Sequence, residues 1–312
     1  MNAQPLIWIE TLVKGEMIKL EVVLNKKTKV NVMSEKKRNS LINSILFVFL
    51  SVGAIFMIAP LLWMVSTSLK DKQDVFALPP KWIPETIHFN KYIEIWEKGP
   101  LLSGIINSLT VAITVTVVGT FTSSLAAFAF AKLRFPGKNK IFLLLLTSMM
   151  IPYPVVMIPQ FIMFSSIEWT DTLLPLIVPG LFGNIMMIFF LRQYLNSVPD
   201  SIIEAAKIDG CSYFQIYYKI ILPLIRPAIA AQLILWFMGI WNDYLAPIIY
   251  LNSPEKQTLQ LVIANFNATY AIQSDYPLIM AASVVALLPM IIVFVIFQKQ
   301  IIESIAISGI KG

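Results

Sequence analysis

The sequence contains one cysteine, Cys211, and one histidine, His88, in 312 residues. A single cysteine excludes any intrachain disulfide and leaves the redox compartment unmarked. The lone histidine lies in a polar stretch with no cysteine or second histidine near it, so no metal-ligand set is visible. Charge is scarce: Asp, Glu, Lys and Arg make up 13% of the chain, against about a quarter in a soluble globular domain. No GxxxxGK phosphate loop and no HExxH helix are present, so the chain shows no enzyme chemistry of its own and no directly bound cofactor. It also lacks low-complexity tracts and any repeat of 20–50 residues. Apolar sequence is abundant instead, with 57% of residues hydrophobic.

That apolar sequence is gathered into runs. A helix needs ~20 apolar residues to cross a bilayer, and six stretches qualify, at about 41–66, 101–131, 141–164, 172–191, 227–251 and 277–297. None alternates as a membrane β-strand would. The expected fold class is therefore an all-α polytopic membrane protein with six transmembrane helices and the lipid bilayer as a partner. Residues 37–312 are expected to form the transmembrane domain and residues 1–36 a cytoplasmic extension. The first run is read as a retained span, because it is too long for a signal h-region and no small-x-small site follows it. Residues 1–32 show no clear period and are expected to be loosely ordered, or to precede the true start at Met33.

The net charge of +6 follows topology and does not suggest nucleic acid. Residues 1–40, 131–140, 192–226 and the C-terminal tail hold 18 of the 24 Lys and Arg. Basic residues mark the cytoplasmic side, which places both termini and the 192–226 loop inside. The 70–100 loop then lies outside. Its Pro79, Pro80 and Pro84 forbid a regular helix, while Asn90–Lys98 can form a short interfacial one with Tyr92 and Trp96 at headgroup level. The 252–276 segment is read as an outer loop.

Two spans carry interruptions. The third contains Pro152, Pro154 and Pro159, which fits either a broken helix beside a pathway or a kink settled by packing. The fifth contains Asn242, Asp243 and Tyr244. Asp243 follows Pro227 by sixteen residues, about 24 Å of helix, and an ionisable group at that depth is a candidate for a translocation pathway. A hydrogen-bond clamp between helices is the competing reading. Trp241 and Tyr244 offer faces for stacking on a sugar or a lipid headgroup.

Residues 204–223, EAAKIDGCSYFQIYYKIILP, behave differently. Ser201 with Glu204 fits a capping box, with Asp200 as a competing cap, and Gly210 can take the left-handed conformation that ends a helix. Ser212 with Gln215 fits a second capping box, opening a helix to about Ile220 that Pro223 stops. The expected result is a helix-turn-helix hairpin on the cytoplasmic face. Short helices are marginal alone, so this one needs something to dock against.

The spacing Glu204-Ala205-Ala206, Gly210, Ile220, Leu222, Pro223 resembles the signature loop of ABC-importer permeases at seven fixed positions. Asn107-Ser108-Leu109, Arg192-Gln193-Tyr194, Trp241–Leu245 and the C-terminal Gly309–Gly312 extend the resemblance to maltose-type carbohydrate permeases, the MalG-like subunit, over about 33–312. Tyr276-Pro277, and Cys211 in a place more usually Ala, depart from the pattern. The resemblance implies a permease subunit of a binding-protein-dependent sugar importer in the prokaryotic cell membrane. It implies as partners a second homologous permease, two cytoplasmic ATPase subunits that use the ATP, and an extracytoplasmic solute-binding protein. It makes Glu204, Ala205, Ala206, Gly210, Leu222 and Pro223 the ATPase-coupling residues: the alanines allow close seating, Gly210 sets the bend, and Glu204 either caps the helix or pairs with a base on the ATPase. The rival readings are a single-chain ion-coupled transporter, a membrane scaffold, and an ABC permease for a non-sugar solute. A secondary transporter would be expected to carry inverted repeats and several buried ionisable residues.

Overall fold

The computed structural model describes residues 39–309, with side chains through Lys299. The expectations for residues 1–36, including a start at Met33, lie outside the described residues. Among the described residues the regular structure is helical, with no strand. The chain divides into two compact units, residues 1–63 and 64–312. As far as it is described, the first unit is the N-terminal part of helix α1 (Asn39–Ser68), which is long and apolar enough to cross a membrane.

In the second unit, α2 (Lys91–Glu97) is the short helix expected before the second span. It is followed by α3 (Leu101–Lys132), the longest central element, 32 residues or about 48 Å. The buried side of α3 is a stripe of small residues four apart: Gly104, Ser108, Ala112, Thr116, Thr120, Ser124. Small side chains let other helix backbones approach closely, which is how apolar helices associate where water cannot drive them together.

The third span is broken. Helices α4 (Lys138–Ser148) and α5 (Tyr153–Ser166) meet at 94°. Pro152 explains the stop, since a proline pushes the preceding residue away from helical backbone. Tight turns satisfy the break, with Met149, Met150 and Ile151 N–H donating to the carbonyls three residues back.

The fourth span is continuous in direction over Leu174–Asn196, although it is two helices, α6 (Leu174–Leu181) and α7 (Ile185–Asn196). Gly183, at φ +108°, turns the chain between them. Asn184 caps α7 by accepting from Met187 N at 3.0 Å, while its own N–H donates to Ser123 Oγ of α3 at 2.8 Å.

The hairpin follows as α8 (Asp200–Ile208) and α9 (Tyr213–Ile216), the latter running on as a π turn, Tyr217–Ile221, into α10 (Leu222–Leu224). Next come α11 (Arg226–Trp241), α12 (Leu245–Tyr250), α13 (Leu259–Ile272) and α14 (Tyr276–Gly309). The fifth span therefore differs from the unbroken 227–251 helix expected. It ends at Trp241 and resumes at Leu245, and Tyr213–Leu224 meets α11 at 77°. The 252–276 segment is also not a plain loop. It holds α13, whose Leu259, Leu261, Val262 and Phe266 are buried; at 14 residues it rises only about 21 Å and is too short to cross.

Among the described residues, four helical stretches are thus long and apolar enough to span (α1, α3, α6–α7 and α14), and up to six when each bent pair counts as one. Two buried clusters hold the second unit together. One joins the hairpin to α3, α4, α7 and α11 through Phe128, Leu191, Ile203, Ile216 and Ile225. The other joins α2, α3, α11, α13 and α14 through Ile95, Leu101, Trp241, Phe266 and Leu278. Helix α3 contributes to both.

Candidate functional site

Two features stand out: the hairpin, and a cavity among the broken helices. In the hairpin, Gly210 has φ +78° and closes α8, with its N–H donating to Lys207 O and Cys211 N–H donating to Ala206 O, each at 3.0 Å. The second capping box is present as expected: Ser212 Oγ accepts from Gln215 N and Gln215 Oε1 accepts from Ser212 N. The first is not. Pro199 is the N-cap of α8 and no side chain caps it. Asp200 instead pairs with Lys132 Nζ at 2.6 Å, which holds its carboxyl below the usual aspartate range. An ion pair across to α3 is open to Asp200 because the hairpin packs there, and no local pattern encodes that.

Pro223 does not stop the second helix. The π turn precedes it, with Leu222 N–H bonding back five residues to Tyr217 O. A widened turn accommodates a ring that would strike the carbonyl four residues back in an α-helix. The break falls instead at Ile225.

The hairpin has two unlike sides. Ile203, Ala206, Ile216 and Tyr217 face the chain's own core, and the Tyr217 hydroxyl is within 2.7 Å of Ser124 Oγ. Glu204, Ala205, Gly210 and Pro223 are exposed, Leu222 is half-buried, and Ile208 and Phe214 lie out at 86% and 63% exposure. Of the paired alanines, Ala206 therefore seats the hairpin on its own chain and Ala205 faces outward. Glu204 borders a hollow of about 200 Å³ with Lys132, Arg134, Lys207 and Tyr213.

The second feature is a cavity of about 180 Å³ bordered by α3, α5, α6, the end of α11 and α12. Its polar lining includes Tyr153, Gln160, Asp243 and Tyr250, and its apolar wall includes Val111, Leu176 and Pro247. Of the three residues expected on a pathway, Asp243 alone reaches it. Asp243 Oδ1 accepts from Leu245 N at 3.1 Å and Ala246 N at 3.4 Å, which starts α12. Asn242 donates back to Met238 O at 2.9 Å, and Tyr244 is exposed. Trp241 is not free for stacking on a solute: it is 1% exposed and stacks on Phe237 at 6.0 Å.

Sequence reasoning missed Gln160 and Tyr250. Gln160 did leave a signal, as a lone amide in an apolar run. Tyr250 left none, because its position beside Gln160 (Oη to Oε1 3.4 Å) depends on the α11–α12 break. Asp171 was also missed. Its carboxylate accepts from Asn252 N, Ser253 N and Ser253 Oγ at 2.6–3.0 Å and from Lys256 Nζ at 3.2 Å. Those bonds tie the chain before α6 to the chain after α12, and they hold the Asp171 carboxyl far below the ordinary aspartate range.

Comparison with known proteins gives a consistent picture. Residues 119–306 match the family described as "Binding-protein-dependent transport system inner membrane component". The "Arabinooligosaccharides transport system permease protein AraQ" of Halalkalibacterium halodurans is 32% identical, over 85% of this chain and 94% of that protein. The protein of the same name from Bacillus subtilis is also 32% identical, over 86% and 95%. Among solved structures, a bacterial ABC transporter involved in the import of the acidic polysaccharide alginate superposes with a TM-score of 0.73 at 23% identity, over 83% of this chain and 96% of that one. At that identity the superposition speaks for the fold.

Proposed function

This chain belongs to the family of inner membrane components of binding-protein-dependent transport systems, and from that premise we propose that it is one permease half of an ABC importer for a sugar or oligosaccharide. The family makes it a multi-pass inner membrane protein. Its relatives at 32% identity are named as permeases for arabino-oligosaccharides, which supports a carbohydrate as cargo. The chain pairs with a second, homologous permease. Two cytoplasmic ATPase subunits bind and hydrolyse the ATP, and a solute-binding protein delivers substrate from the other side. Excess Lys and Arg in the hairpin loop and both terminal segments supports a cytoplasmic location for all three.

One observation carries the coupling role. The hairpin is capped at Ser212 and packed on its inner side, and it offers Ala205, Glu204, Ile208 and Phe214 on its outer side. A docking surface on a rigid lever is what transmission of ATPase closure requires. Driving a two-state pore from 1:99 to 99:1 takes about 5.5 kcal/mol of differential binding, and a frayed loop would not transmit it. In this scheme Ala205 and Glu204 meet the ATPase, Ala206 and Leu222 anchor the hairpin to its own spans, Gly210 sets the bend, and Pro223 follows the widened turn. On the membrane side Asp243, with Asn242 and Tyr244 beside it, marks the pathway.

A tagged chain purified from detergent tests this. Wild type should bring down a second permease and an ATPase whose hydrolysis rises with loaded binding protein. Gly210→Pro, which removes the N–H bonded to Lys207 O and forbids φ +78°, should keep the permease and lose the ATPase. A wild-type chain that purifies alone and transports in ATP-free vesicles under an ion gradient overturns the proposal.

A further inference from the structure

The cavity beside Asp243 has a chemistry of its own. Gln160 presents an amide, Tyr153 and Tyr250 present phenols, and Asp243 presents a carboxylate; the facing walls are proline and aliphatic side chains. Asp243 uses Oδ1 on the backbone of α12, and its carboxylate receives no side-chain hydrogen bond among the described residues. Among the described residues Gln160 has one hydrogen-bond partner, Tyr250, at 3.4 Å through its oxygen, which leaves its two N–H donors available. The site therefore combines an anionic acceptor, a donor–acceptor amide and apolar surface, and no Lys or Arg lines it.

We infer that this cavity seats one ring of a neutral saccharide and that Asp243 turns away sugars carrying a carboxylate. A pyranose or furanose offers both things the cavity asks for: an edge of hydroxyls that donate to a carboxylate and accept from an amide, and a C–H face that lies on apolar or aromatic surface. The size agrees. About 180 Å³ falls below the ~300–1,000 Å³ of sites for drug-sized ligands, so it takes a single ring of a longer chain. A uronate brings a second negative charge next to the half-buried Asp243 with no basic residue in the lining to offset it, and like charges held close in low dielectric repel strongly. The inference rests on the importer reading and adds to it a substrate class and a discriminating residue.

The test uses the complete importer in nanodiscs, where both faces are open to solute. Cys211, the only native cysteine, is replaced as Cys211→Ser, and Leu176→Cys on the apolar wall reports access through its labelling rate with an uncharged maleimide. The probes are maltotriose, arabinotriose and trigalacturonate. At least one neutral trisaccharide should slow labelling fivefold or more, while trigalacturonate slows it less than twofold. Asp243→Asn should raise protection by trigalacturonate toward the neutral level, and Gln160→Ala should weaken neutral protection without admitting the uronate. Asp243→Asn keeps an oxygen for the cap but takes the charge from the helix start, so Gln160→Glu serves as a second variant; it adds charge without touching the cap and should lower trigalacturonate protection further. Equal protection by neutral and acidic sugars in the parent, or protection by none of them, overturns the inference. If the parent carries no ATPase and still shows the selectivity, the importer reading fails and the saccharide seat stands.

Discussion

Lys132 Nζ lies 2.6 Å from the Asp200 carboxylate and 2.6 Å from the Val198 carbonyl, so the last residue of α3 holds the first residues of the hairpin. The lysine side chain is 4% exposed and the aspartate 74%. The shielded end matters more, because an exposed charge recovers water when its partner leaves and a buried carbonyl does not. Lys132→Met should therefore destabilise the protein by about 1–3 kcal/mol, seen as a lower unfolding midpoint in detergent. It should also reduce ATPase retention several-fold. Asp200→Asn should do much less. Equal effects of the two would mean that the exposed ion pair, and not the carbonyl contact, fixes the hairpin.

The bend at Gly210 separates backbone strain from crowding. A Cβ there meets nothing within 4 Å, yet φ is +78°. Gly210→Ala should cost about 1–2 kcal/mol from left-handed backbone alone, and Gly210→Asn less, because asparagine tolerates that region. Gly210→Asp tests charge at the docking face more than geometry. ATPase retention should rank wild type, Asn, Ala, Pro from highest to lowest. Ala performing better than Asn would refute the conformational account.

Helices α3 and α6 approach closely at Gly119 and Gly180. A Cβ on Gly119 would lie 2.4 Å from Gly180 O, and one on Gly180 would lie 2.5 Å from Val115 Cγ1. A backbone carbonyl cannot rotate aside as a side chain can. Gly119→Ala should therefore cost about 1–3 kcal/mol in thermal unfolding, at least as much as Gly180→Ala, where a valine methyl can move. Both variants should still insert, since each makes the helix more apolar.

The Asp171 clamp predicts a pH dependence. Its hydrogen bonds depress the folded-state pKa below the ordinary aspartate value near ~3.9. A depressed carboxyl contributes stability that is complete above the unfolded pKa and lost as pH falls through the folded one. The clamp should thus be fully formed at neutral pH and should begin to lose its contribution only below about pH 4. Asp171→Asn should lower stability at pH 7 and flatten the acid side of the profile. A parent whose stability changes between pH 7 and pH 5 with no effect of Asp171→Asn would assign that dependence to another group.

Much of this protein was legible in the chain itself. Runs such as 101–131 and 277–297 are apolar for longer than a bilayer is thick, so their spans follow from composition. Gly210 and the Ser212–Gln215 box form because they are local: a positive φ and a three-residue reach need no distant partner. The prolines at 152 and 154 marked an interruption of the third span, and its 94° bend decided for a break over a kink. Other features depend on tertiary structure. Asp200 leaves its expected capping role because Lys132, 68 positions away, is close enough to compete. Segment 252–276 forms α13 because Leu259, Val262 and Phe266 find cover in a cluster with Leu101 of α3 and Leu278 of α14. Asp243, Gln160 and Tyr250 share a cavity only because the third and fifth spans are both interrupted, between α4 and α5 and between α11 and α12. The sequence alone determined which long runs are apolar enough to span and the turns that a glycine or a local cap fixes, since hydropathy and backbone freedom are properties of neighbouring residues. Packing between distant segments decided which polar groups are paired and which are left facing a cavity.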